Sequence, residues 1–191
     1  MQPDKSRVKY PPLILSDLSN GMPGITPDIG SVLAQAATIC FEGEHHVSGV
    51  CLLVEGDFHH GFVVEWSTLS NPEQAIRAWA DVQVTTEHGA CGVAALLVTK
   101  LTEFTIAARS WKGTGFDYWL SRKEEAGNED GLFQGKARLE VSGIRHGNGT
   151  VVAARIRNKI DQIERAPRTG LPAIIAVIEF GKPRSHLLKR I

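Results

Sequence analysis

The chain has 191 residues, 42% apolar and 22% charged, with 21 Lys/Arg set against 21 Asp/Glu. That composition excludes a disordered or collagen-like chain and leaves room for a sizeable buried core in one domain spanning 1–191. The zero net charge hides an asymmetry: residues 131–191 carry 12 Lys/Arg and 4 Asp/Glu (+8), and residues 1–130 carry 9 and 17 (−8). A basic C-terminal third suits a polyanionic partner, or it solvates a surface and pairs with the acidic part.

Residues 1–25 are rich in Pro, Gly, Ser and Asn and read as an irregular arm with an extended piece at Leu13-Ile14-Leu15. Thr26, Pro27 and Asp28 then start a helix as cap, first-turn residue and dipole partner, and Gly43 ends it. Val47–Val54 and Gly61–Trp66 read as a β-hairpin turned by Glu55-Gly56-Asp57. The His45-His46 and His59-His60 pairs read as surface residues, because neighbours on a strand point to opposite faces and cannot chelate together.

Asn71, Pro72 and Gln74 form a helix start, and the pattern runs to about Leu101 as one long helix. Gly89, Ala90, Cys91 and Gly92 predict close packing against a sheet. Along the stripe Ala80, Val84, Glu87, Cys91, Ala94 and Val98, Glu87 is the single charge. A carboxylate there is either solvated at the stripe's edge or facing a cation. Glu103–Ala108 reads as a strand, and Trp111-Lys112-Gly113-Thr114-Gly115 as a turn leading to a strand that holds Asp117. The charged stretch Ser121–Gly135 links it to a third strand, Arg138–Ile144. There Glu140 and Ser142 share one face, and Leu139, Val141 and Ile144 largely the other.

A loop at 145–149 precedes a helix capped by Thr150 and running to about Arg165. Val152, Ile156, Ile160 and Ile163 form its buried face, and Arg155, Lys159 and Gln162 a second, polar stripe. Ala173–Phe180 is a near-continuous apolar run, broken by Glu179 alone, as fits a fully buried strand. The basic tail from Lys182 reads as a short helix or strand. The three cysteines, Cys40, Cys51 and Cys91, form no CxxC and read as buried free thiols in a reducing cytosol. Met1–Lys5 is no signal peptide, and the longest apolar run, Gly89–Val98, is too short to span a bilayer. A cytoplasmic protein without membrane association is therefore expected.

A helix with Glu87, a strand, strands with Asp117 and Glu140, a helix with Lys159 and Gln162, then a buried strand: this order resembles the restriction-endonuclease-like superfamily, the PD-(D/E)XK phosphodiesterases, over roughly residues 71–180. The resemblance implies an α/β fold with a central mixed sheet flanked by helices. Residues 1–70 would form an N-terminal helix-plus-hairpin addition and 181–191 a basic tail. It also implies a Mg²⁺ (or Mn²⁺) site formed by Glu87, Asp117 and Glu140. Phe116 stands where such families often carry proline, and Ser142 stands where a catalytic lysine is expected. Lys159, Lys112 and Lys136 are the candidates to replace that lysine. Lys136 lies four residues from Glu140, about 13 Å along a strand.

The implied function is Mg²⁺-dependent hydrolysis of nucleic acid, DNA first, in a chain that could form a homodimer. Asp117, Glu140, Lys159 and Ser142 would serve catalysis. Lys112, Arg138, Arg145, Arg155 and Gln162 would hold the nucleic acid, with Trp111, Tyr118 and Trp119 as candidate stacking groups. Two alternatives stand beside it. One is a nuclease-fold scaffold without turnover, which Ser142 favours. The other is a homo-oligomer with no nucleic-acid role, its acidic and basic parts paired between subunits.

Overall fold

The computed structural model describes residues 10–126, 136–165 and 170–190. The expectations for residues 1–9, for the 127–135 part of the charged linker and for the last residue of the tail lie outside them. Among the described residues eight strands form one mixed sheet: β1 (Pro12–Ile14), β2 (Val50–Gly56), β3 (His60–Glu65), β4 (Phe104–Arg109), β5 (Tyr118–Arg122), β6 (Ala137–Ile144), β7 (Ala173–Glu179) and β8 (Arg184–Arg190). Their spatial order is β1-β3-β2-β8-β7-β6-β5-β4. Four α-helices among the described residues accompany them: α1 (Pro27–Gly43), α2 (Pro72–Ala78), α3 (Val82–Leu101) and α4 (Gly149–Arg165). The chain is thus an α/β protein built on a mixed sheet.

β7 shows how the layers form. It is buried along its whole length, so its alternate side chains serve two cores. Ile174, Ala176 and Ile178 join the cluster that contains Leu33 and Phe41 of α1 and Leu97 of α3. Ala173, Ile175 and Val177 join Val152 and Ile163 of α4. One face therefore carries α1 and α3, and the other carries α4. β4, β5 and β6 form an antiparallel meander, and α4 carries the chain over to β7, which runs parallel to β6.

The N-terminal hairpin is not a separate layer. β2 pairs in parallel with β8, so residues 50–65 extend the same sheet, and β1 adds a parallel edge strand to β3. The basic tail is that linking strand, β8. Ile144, expected opposite Glu140, packs instead in the α4-side core, as its even spacing from Glu140 requires.

The long helix expected over 72–101 is broken. The Asp81 side chain accepts from the backbone N–H of Gln83 (2.9 Å) and Val84 (3.0 Å), which caps α3 afresh. Just before it, the Trp79 indole N–H donates to Gln35 (2.8 Å), holding that end of α2 on α1. Gly89 and Gly92 face α1 rather than the sheet. A Cβ on Gly89 would lie 3.1 Å from the Ala37 backbone, and one on Gly92 3.2 Å from Leu33. Thr150 does not cap α4; the Asn148 side chain accepts from Val151 N–H (3.0 Å), two positions ahead of the expected cap. His46 is half-buried rather than superficial, its Nε2 donating to Phe180 O at 2.9 Å.

Candidate functional site

At the end of the sheet where β6 meets the loop before β5, the surface opens into a cleft of about 1280 Å³. The N-terminal half of α3 forms one wall, the polar stripe of α4 another, and the Ser110–Gly115 turn the rim. α3 can lie this close to β6 because of Gly143. A Cβ there would sit 2.5 Å from the Thr86 carbonyl oxygen.

β6 sets the floor. Glu140 and Ser142 project toward α4 and are only 3% and 6% exposed. Residues 155, 159 and 162 of α4 fall on one helical face, and all three reach β6. The Arg155 guanidinium donates to Ser142 Oγ (2.9 Å). The Lys159 ammonium donates to Glu140 Oε1 and to Gln162 Oε1 (3.1 Å). The Gln162 amide donates to Glu140 Oε1 (3.0 Å) and to Gly115 O (3.1 Å), tying α4 to the rim. Burial pushes the Glu140 carboxyl above the ordinary glutamate range; Lys159 opposes that shift and the nearby Asp117 charge adds to it.

Asp117 lies one residue before β5 rather than within it. Its Oδ2 accepts from Val141 N–H at 2.8 Å, which locks the carboxylate beside the Glu140–Val141 peptide. Its Oδ1 lies 3.6 Å from the Arg109 guanidinium. Arg109 also donates to the Tyr118 hydroxyl (2.8 Å) and covers the Tyr118 ring at 4.7 Å. Sequence reasoning missed Arg109. The available signal was its place as the last residue of the strand that pairs with the Asp117 segment, since a charge ending one strand lies beside its neighbour's partner residue.

The other expected residues divide into those that reach the cleft and those that do not. Glu87 lines it but stays exposed on α3, where it accepts from Gln83 (3.1 Å). Among the described residues no three His, Cys, Asp or Glu side chains cluster closely enough to hold a metal ion, so Glu87 stands apart from the Asp117–Glu140 pair. Lys112 lies on the rim. Lys136 is outside the cleft, 3.8 Å from Glu125, so of the three candidate lysines it is Lys159 that touches Glu140.

Arg138 is buried, donating to Leu171 O (3.1 Å), with its guanidinium 6.0 Å from the Phe116 ring centre. It is not placed to meet a nucleic acid. Arg145 lines the cleft but is held by Glu44 (3.2 Å) and by Ile39 O (3.0 Å). Arg190 likewise meets Asp57 at 3.4 Å, so part of the basic C-terminal third neutralises the acidic part of the same chain. Tyr118 is buried, and Trp119 packs edge-on against Phe116 at 4.6 Å. Trp111 is 82% exposed.

Asp117 and Glu140 offer hard carboxylate oxygens on neighbouring segments of one cleft. Mg²⁺ keeps several waters and takes one or two protein carboxylates, so this donor set fits Mg²⁺ or Mn²⁺ without Glu87. The fold and site define an α/β protein with a charged, lysine-bearing cleft at the end of its sheet. No protein-family model, curated protein or solved structure matches the chain.

Proposed function

We propose that the cleft is a phosphodiester-hydrolysing site that acts on nucleic acid, set in a restriction-endonuclease-like core. The observation that carries this reading is the Lys159 ammonium on the buried Glu140 carboxylate, with the Asp117 carboxylate held beside that residue on Val141 N–H. The order α3, β4-β5-β6 meander, α4, parallel β7 supports the core. The three free cysteines, Cys40 and Cys91 buried and Cys51 exposed where burial was expected, fit a reducing, cytoplasmic setting.

Asp117 and Glu140 would hold Mg²⁺ or Mn²⁺. When bound, the ion supplies a water of lowered pKa and neutralises charge on the phosphate oxygens. Lys159 takes the part of the lysine that Ser142 replaces. Fixed against Glu140 and Gln162, it keeps one N–H for the attacking water or the phosphate. Gln162 holds Lys159 and Glu140 in register, and Arg155 secures Ser142. Arg109 steadies Asp117, and Lys112 on the rim meets the flanking backbone charge.

The test is cleavage of single- and double-stranded DNA with Mg²⁺ or Mn²⁺. Wild-type protein should cleave, and Asp117→Ala should lose at least ~100-fold in rate. Equal cleavage by both proteins would overturn the proposal.

One observation favours a second reading, a nuclease-fold scaffold without turnover. Glu140 Oε1 is already met by Lys159 and Gln162, and Asp117 by Val141 N–H and Arg109. Binding without cleavage in every divalent ion would select it.

A further inference from the structure

We infer that the Trp111–Lys112 turn is a stacking platform for an unpaired base, so that the cleft takes single-stranded nucleic acid in preference to a duplex. This rests on reading the cleft as a nucleic-acid site. Trp66 stacks on Phe41 at 5.4 Å, Trp79 donates to Gln35, and Trp119 meets Phe116 at 4.6 Å. Each of those three indoles is accounted for inside the fold. Trp111 is instead held outward at the cleft rim, 82% exposed.

The turn that holds it is built. The Thr114 hydroxyl donates to Trp111 O (2.9 Å), and the Ser110 and Thr114 hydroxyls lie 2.5 Å apart. Gly113 supplies the left-handed backbone (φ 97°) that closes the loop. Gln162 anchors the far side through Gly115 O. An indole presented from a fixed turn loses little conformational freedom on binding.

The neighbours choose the ligand. Lys112 stands next in sequence; Arg109 and Arg155 lie in the same cleft, held there by Asp117 and Ser142. A cation beside an outward aromatic face matches a sugar-phosphate backbone whose bases are free to stack. In a duplex both faces of every internal base are covered by stacking, so such a platform has nothing to engage.

The test measures binding of the full chain to a labelled single-stranded oligonucleotide and to its duplex, with Ca²⁺ as the divalent ion, by anisotropy and tryptophan emission. Wild type should favour the single strand and show quenched emission on binding. Trp111→Ala should weaken single-strand binding by ~10- to 100-fold, the size of one base–aromatic stack, and leave duplex binding unchanged. Trp111→Phe should restore affinity without the quenching.

Unchanged single-strand affinity in Trp111→Ala, an equal loss on duplex, or a wild-type preference for duplex would overturn the inference while leaving the hydrolytic reading intact. Wild-type protein that binds neither form at low salt would overturn both. That last result would point to a protein partner for Trp111 instead.

Discussion

Removing Lys159 should be costly, and more so at neutral than at acid pH. Its ammonium is the cation against a carboxylate whose side chain is 4% exposed, and is itself 20% exposed. In Lys159→Ala, Glu140 keeps the Gln162 amide as a donor, so the loss falls below the ~3–5 kcal/mol expected for an uncompensated buried charge. A hydrogen bond to a charged group is worth about 1.5–3 kcal/mol, and about 2 kcal/mol is the expected cost at pH 7. For a chain of this length that lowers Tm by about 4–8 °C.

The sign with pH follows from Glu140. Lys159 lowers its pKa, so the variant raises the folded value further above the ordinary 4.5. The folded variant then binds its proton more tightly than the unfolded chain. The penalty is therefore absent below pH 4.5 and grows as pH rises through the folded value. Urea denaturation of wild type, Lys159→Ala, Glu140→Gln and the double variant gives the coupling energy directly. A coupling under about 0.5 kcal/mol at pH 7, or a penalty that grows on acidification, would refute the buried-pair argument.

Three further outcomes are expected. Arg109→Ala should lower cleavage by ~10-fold or more through the loosened Asp117 carboxylate, with Arg109→Lys recovering part of it; unchanged kcat in both variants would remove Arg109 from the site. Glu140→Gln should gain stability relative to wild type as pH rises above 4.5, because the raised Glu140 pKa makes ionisation costly in the folded chain; a relative loss over that range would contradict the burial argument, as read by denaturation across pH. Gly143→Ala should cost about 1–3 kcal/mol, since the methyl meets the Thr86 carbonyl oxygen at 2.5 Å and α3 must shift; an unchanged denaturation midpoint would show that the contact yields freely.

The elements were legible where periodicity is strong. The apolar run of β7 and the 155–159–162 stripe of α4 both lie where the sequence pattern put them. So does the shared face of Glu140 and Ser142, because residues two apart on a strand cannot do otherwise. What the pattern could not carry was decided by single contacts. The break between α2 and α3 depends on Asp81 choosing to cap a second helix, in a window whose overall pattern stays helical.

The burial of Arg138 depends on Leu171 O and the Phe116 ring, both far away in sequence. Glu87 was expected to share a metal site. On an exposed helix face its position along the groove depends on how α3 crosses β6, which Gly143 governs. Arg109 was overlooked because the expected strand stopped at Ala108, one residue short of the pair Arg109–Tyr118 that sets the guanidinium beside Asp117.

The central claim is that Asp117 and Glu140 hold one divalent ion together. Mn²⁺ titration of the full chain, with free Mn²⁺ followed by its electron paramagnetic resonance signal, measures this without turnover. One site per chain in wild type, lost in Asp117→Asn and in Glu140→Gln but retained in Glu87→Gln, is the predicted result. An isotherm identical in wild type and in both cleft variants would contradict it.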